Sequence, residues 1–206
     1  MKYYIDITLL PDAEANLGFL WQKLFQQVHI ALVDNKVGEN ESAIALSIPG
    51  YSKRESNIKD FPLGDKLRLL ASSEDVLIKL GIHQWLKRLN DYCHIKPIKP
   101  VPAGIKQYAQ FKRKPAKSIE KKAKRRAEHL NKPYAEVLAY LLKEGRSVKS
   151  PLPYIHVESQ ETKKRTEHGV SCQFPLFIEQ MLFDAPGSGK FDCYGLSKTA
   201  TVPWFD

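Results

Sequence analysis

Two groups of residues in this 206-residue chain have types and spacings that suggest chemistry. The first is a run of cations. Between Lys106 and Arg126 lie ten Lys and Arg against a single acid, Glu120, and this segment alone accounts for the whole formal charge of +9. The rest of the chain is electroneutral. The protein is therefore a neutral body carrying one concentrated cationic element, which is the footprint of a polyanion-binding surface. Lys121, Lys122, Lys124, Arg125 and Arg126 crowd one predicted helix, with like charges at i, i+4 (Lys121 with Arg125, Lys122 with Arg126). Each such pair costs helix stability by about 0.2–0.5 kcal/mol. A purely structural helix would more often intersperse acids, so polyanion contact is preferred to a solvated charged face, and a nuclear-localisation run is the weaker alternative.

The second group is the titratable and nucleophilic side chains. His29 falls at the edge of a helical apolar stripe, near the end of that helix, where it could face a cleft. Imidazole takes and gives protons near neutrality and is the natural general base. A lone helix histidine is equally open to a structural reading. His83, His94, His129, His156 and His168 show no metal-ligand spacing and read as structural or surface residues. Cys93, Cys172 and Cys193 contain no CxxC pair, which indicates neither a zinc site nor a disulfide framework and makes a reducing cytoplasm the expected compartment. Residues 187–190, GSGK, lack the full phosphate-loop pattern because Phe191 follows Lys190, so a hairpin loop is the better reading. Tyr194, between Cys193 and Gly195, reads by itself as a core strand aromatic.

These residues need a scaffold, and the composition allows one. At 43% hydrophobic and 10% aromatic, the chain can bury a core. No apolar run approaches the roughly 18 residues that span a bilayer, and the start lacks a signal-peptide cleavage site. Residues 2–9 predict a strand, and Asn16 caps a helix to about Val33 with Leu17, Leu20, Trp21, Leu24, Val28 and Ala31 inward. Strands follow at 43–48 and 66–71. Ser73 starts a helix that Gly81 can break before Trp85 and Leu86, and 93–102 reads as a proline-bearing edge strand. The order βαββαβ is the ferredoxin-like split unit, which hosts many functions. An ordinary RNA-recognition module would carry a K/R-G-F/Y-G/A-F-V-x-F/Y string, and none is present.

Residues 104–116 read as a linker. Ser118 opens the basic helix, about 118–130, whose narrow apolar seam is Ile119, Ala123, Ala127 and Leu130. A second helix follows with a Tyr134, Val137, Leu138 and Leu141 core stripe, ended by Gly145. Three β-like runs, YIHVES, CQFPLFIEQMLF and KFDCYGLS, complete the chain. The expected class is α+β. A ferredoxin-like domain over 1–101 carries His29, and a C-terminal α/β domain over 102–206 carries the basic helix.

The chain resembles the CRISPR RNA-processing endoribonucleases of type I-F systems, the Cas6f or Csy4 family. The matching parts run in order: the opening strand with Asp6 and the Pro11-Asp12 turn; Leu24-Phe25, His29 and Ala31-Leu32-Val33; LGDKLRLLASSEDV; Trp85-Leu86; the basic helix; Ser159-Gln160; Gln173-Phe174; Leu176-Phe177-Ile178; and CYGLSK with VPWF. The likeness covers essentially the whole chain.

The resemblance implies a metal-independent enzyme without cofactor that recognises the hairpin of a CRISPR repeat RNA. It would cut once at the 3′ base of the stem by 2′-OH attack, leaving a 2′,3′-cyclic phosphate. It would then keep the product as a subunit of the type I-F surveillance complex, beside the other Cas subunits, with no membrane partner. It also implies that His29 is the general base, Ser159 positions the ribose, Tyr194 supports the site and Phe174 stacks on the foot of the stem. Gln110 and Lys112 would read base edges low in the stem, and Lys121, Lys122, Lys124, Arg125 and Arg126 would contact phosphates. Three departures stand out. The helix is lysine-rich where the family is arginine-rich. Gln110 falls where arginine is frequent. The stretch from Ser159 to Phe174 is longer than usual, with extra bases at Lys163, Lys164 and Arg165, so Ser171 is a substitute for Ser159. A catalytically silent hairpin-binding structural subunit is the alternative from another functional class.

Overall fold

The computed structural model describes residues 1–52, 61–115, 119–143, 150–158 and 173–205. Strand β1 (Tyr3–Leu9) leads into helix α1 (Leu17–Asp34), then β2 (Ile44–Ser47) and β3 (Lys66–Ala71). Asn16 sits in extended backbone before α1 and its side chain accepts the Phe19 N–H at 3.0 Å, satisfying one orphan donor of the first turn. Helix α2 (Glu74–Leu80) ends at Gly81, whose left-handed backbone (φ 59°) lets α3 (Ile82–Trp85) leave in a new direction. The predicted edge strand is two short ones, β4 (Cys93–Ile95) and β5 (Lys99–Pro100), both antiparallel to β1. Pro97 falls in the break between them, while Pro100 is held within β5. The first sheet is antiparallel in the order β2-β3-β1-β4, with β5 also on β1.

Inside this sheet the register sets Asp6 opposite Arg68. The Arg68 guanidinium donates to both Asp6 carboxylate oxygens, at 2.6 and 3.1 Å, and to the Phe205 carbonyl at 2.7 Å. It lies over the faces of both Tyr4 and Phe205, whose rings pack edge to face on each other. A charge that is 1% exposed is tolerable because paired oxygens and aromatic faces replace its water.

The expected linker is a strand. β6 (Gln107–Lys114) lies between β8 (Gln173–Phe183) and β9 (Val202–Trp204) in a second antiparallel sheet, β7-β8-β6-β9, with β7 spanning Tyr154–Glu158. Its charges hid it: Lys112 and Lys114 alternate with Phe111 and Arg113, while Ala109, Gln110 and Phe111 are all buried. Both sheets and α1 share one continuous apolar core, and the Tyr51 hydroxyl donates to the Ile178 carbonyl at 2.9 Å across it.

Helices α4 (Ile119–Leu130) and α5 (Tyr134–Lys143) form a hairpin with a separate small core of Ala123, Ala127, Val137 and Leu141, flanked by Leu138. Tyr134, expected inside, is 43% exposed because it opens α5 ahead of the seam. No helix among the described residues is long and apolar enough to cross a membrane.

Candidate active site

The centre of the site is the end of α1 and the turn Asp192–Gly195. On α1, Phe25 and His29 are four residues apart and share a face, and the Tyr194 ring lies across both. It is stacked on His29 with centroids 4.0 Å apart and planes 6° apart, and on Phe25 at 6.1 Å and 10°. His29 Nδ1 is 2.8 Å from the Cys193 carbonyl oxygen. A carbonyl only accepts, so Nδ1 carries the hydrogen and the neutral ring keeps its lone pair on Nε2. Burial holds the His29 pKa below the usual imidazole value and the nearby Arg113 charge lowers it further, while the Cys193 carbonyl and the Asp192 charge pull it up. At neutral pH the ring is therefore a base ready to take a proton through Nε2.

The turn that presents Cys193 and Tyr194 is rigidly made. The run KFDCYGLS, expected to be a strand, is a turn instead: the Gly195 N–H donates to the Asp192 carbonyl at 2.8 Å. Asp192 Oδ1 accepts the N–H groups of Tyr194 and Leu196 at 2.9 and 3.0 Å. Gly195 has φ 71°, and a Cβ there would sit 2.8 Å from the Leu46 Cβ. Only glycine allows the turn to close on β2, where the Leu46 N–H donates to the Gly195 carbonyl at 2.9 Å. The loop before it is no hairpin of its own, since Phe191 bridges to Ser42. Burial raises the Asp192 carboxyl, opposed by those two N–H groups and by the Arg113 and His29 charges.

Arg113 at the end of β6 joins this cluster and was missed in the sequence, where it was one base among ten. Its guanidinium carbon lies 5.4 Å from the Phe174 ring centroid and 5.4 Å from that of Tyr194. Phe174, at the start of β8, is thereby placed one residue away from the His29–Tyr194 stack. Strand alternation was the available signal: Arg113 shares a sheet face with buried Phe111 and so projects over the same side. Asp192 was also missed, though an Asp followed three residues later by Gly is a turn signature.

The other expected site residues separate. Gln110, expected to read a base edge, is 3% exposed within the second sheet. Lys112 on the same strand is partly exposed. Lys124 and Arg125 are exposed on α4, Lys122 and Arg126 are partly exposed, and the Arg126 guanidinium lies 5.4 Å from the Tyr140 ring. Lys121 is on α4, but its side chain lies outside the described residues, as do Ser159 and Ser171. Among the described residues, no three His, Cys, Asp or Glu converge in a way that could hold a metal ion. Cys93 and Cys193 are buried free thiols.

A family model described as CRISPR-associated protein (Cas_Csy4) matches residues 4–205. The chain is 31% identical over 206 residues, covering 100% of both partners, to the CRISPR-associated endonuclease Cas6/Csy4 of Escherichia coli (strain UTI89 / UPEC). The same figures hold for the protein of that name from Pseudomonas aeruginosa (strain UCBPP-PA14), again 31% over 206 residues and 100% of both. Among solved structures, one described as a RAMP protein binding different RNA substrates aligns over 98% of this chain and 99% of its own, at 12% identity and a TM-score of 0.33.

Proposed function

Since the chain belongs to the Cas_Csy4 family of CRISPR-associated proteins, we propose that it is an endoribonuclease that processes CRISPR repeat RNA, with His29 as its general base. The relatives' designation as endonucleases supports the activity. The observation that carries the residue assignment is the 2.8 Å bond from His29 Nδ1 to the Cys193 carbonyl, which leaves Nε2 as the basic atom.

In this reading Nε2 takes the proton of the 2′-OH beside the scissile phosphate. The O2′–P bond forms, the P–O5′ bond breaks with its electron pair on O5′, O5′ takes a proton from water, and a 2′,3′-cyclic phosphate and a 5′-OH result while the imidazolium returns its proton to solvent. The attacking oxygen belongs to the substrate, so the step requires no metal-activated water. Tyr194 holds the imidazole plane. Arg113, near both Phe174 and Tyr194, meets the phosphate as negative charge builds, and Phe174 offers a face for the last base pair of the stem. Ser159 remains the proposed ribose-positioning group.

The first sheet, with helices between β1 and β2 and between β3 and β4, serves as a ferredoxin-like half that positions His29. The α4 cations grip the stem through phosphates. After cutting, the protein stays on the hairpin as a subunit among other type I-F proteins.

The test is repeat RNA incubated with the protein in EDTA. Wild type is expected to cut once and leave a cyclic phosphate detectable by mass. His29→Ala is expected to bind normally and cut about 10²–10⁴-fold more slowly. Tight binding without cutting by the wild type favours the silent structural subunit, and normal cutting by His29→Ala removes the base assignment.

A further inference from the structure

We propose that Asp192 is a positioning residue for His29: through the turn it ties together, its carboxylate fixes the imidazole, and its charge supports the imidazolium formed when His29 takes the 2′-OH proton. This rests on His29 being the base. Asp192 immediately precedes the two residues that touch His29. Its Oδ1 accepts the N–H of Tyr194, the residue stacked on the imidazole, and the N–H of Leu196 beyond the turn. The Cys193 carbonyl that orients His29 Nδ1 lies within the same closed turn. The electrostatic part follows from where the carboxylate is held. A backbone carbonyl alone orients an imidazole but supplies only a dipole, whereas a partly buried carboxylate beside it supplies a full charge that solvent screens only in part.

The charged and ionisable groups around this corner come from several elements. Arg113 reaches in from β6, and Asp192, Cys193 and Tyr194 belong to the turn. Lys36 beyond α1 acts on Cys193. Glu158 on β7 sits beside α1 through the bond from its N–H to Gln26. Arg113 disfavours the imidazolium and Asp192 favours it. The carboxylate therefore opposes the loss of basicity that an arginine beside the base causes. Asp192 itself takes no proton in the reaction.

Asp192→Asn separates the two roles, because an amide oxygen can accept the same two N–H groups without the charge. The His29 ring titration is read by NMR in the free protein, alongside single-turnover cleavage against pH and hairpin affinity. The expected result is a His29 midpoint about half a unit or more below wild type, a parallel shift of the acid limb of the rate profile, and affinity within about twofold. The rate at pH 7 should be up to about threefold lower, the most that a half-unit loss of basicity carries. An unchanged midpoint overturns the proposal, whether the rate is normal or reduced, since a reduced rate alone makes Asp192 only a turn former. Asp192→Ala removes both roles and should lose more than the Asn variant. Equality of the two in rate overturns the positioning part, since the N–H bonds that the Asn variant keeps would then contribute nothing. Because the midpoint is read without RNA, its failure is distinct from failure of the endonuclease reading, which would show as a wild type that does not cut.

Discussion

Neutralising three α4 cations should flatten the salt dependence of hairpin binding by an amount fixed by their number. The structure chooses the positions. Ala123 and Ala127 face α5 in the hairpin core, and Arg126 is engaged over Tyr140, so Lys122, Lys124 and Arg125 can be changed without touching the seam. Glutamine at all three keeps helix propensity close to that of lysine and arginine, within a few tenths of a kcal/mol. Each duplex phosphate contact contributes about −0.9 to the slope of log K against log salt, so three lost contacts should reduce the slope by about 2.7. Over a fourfold rise in salt, from about 50 to 200 mM, wild type should lose about 40-fold more affinity than the triple variant. The assay is filter binding of a 2′-deoxy, uncleavable hairpin at four or five salt concentrations, with far-UV circular dichroism confirming that α4 is intact. A slope within about 0.5 of wild type would show that these side chains do not meet phosphates, and the assignment of the basic helix to the stem would be refuted.

Three other outcomes are expected. Gly195→Ala combines left-handed backbone, costing about 1–2 kcal/mol for a residue with a Cβ, with a 2.8 Å approach to Leu46; cleavage should fall more than affinity, and a variant that cuts at the wild-type rate would free the turn from its assigned role. Asp6→Ala leaves the buried Arg68 charge without its carboxylate and should cost about 3–5 kcal/mol in urea unfolding, against which a loss under about 1 kcal/mol would count. His29 titrates below its ordinary value of 6.5 in the folded protein, so the unfolded chain takes up that proton first as pH falls. Its effect on stability is nil above about 6.5 and grows unfavourable as the pH drops through the folded value. The cleavage rate should likewise hold level through neutrality and fall only on the acid side of 6.5, and a limb above 7 in single-turnover rates would contradict the buried, neutral base.

The parts of the fold written in apolar period and cap chemistry were legible. β1, α1 with its Asn16 cap, β3 and the basic helix lie within a residue or two of where the sequence set them. β6 was not, because a central strand usually announces itself by an unbroken apolar run. Here, lysines and an arginine project from the end that reaches the site, while only Ala109 to Phe111 are enclosed. That misreading concealed Arg113, which the same strand delivers to Phe174 and Tyr194; Gln110, given a role by resemblance, is buried in the same strand. The turn at Asp192 escaped for a different reason. Aromatic and sulfur residues on either side of it resemble a strand, and only the tertiary fit of Gly195 against Leu46 decides otherwise. The role proposed for His29 rests on resemblance, since nothing local separates a base from a structural histidine; the structure adds a carbonyl 164 positions away in the chain that sets its tautomer.

The α4–α5 hairpin, with its own five-residue seam apart from the main core, makes grip and chemistry separately heritable. Lysine, arginine and glutamine exchanges on the outer face of α4 leave untouched the packing that holds α1 against the Asp192 turn. On the proposed reading, in which α4 grips the repeat hairpin, a lineage whose hairpin drifts in sequence or stem length can follow it by surface substitution there, one small step at a time, with no penalty to the geometry around His29. Mutational tolerance should therefore be uneven along the chain: wide on the exposed cations, narrow at Ala123, Ala127, Val137 and Leu141, and narrowest at Gly195. A deep substitution scan selected first for hairpin retention and then for cutting would draw that partition directly.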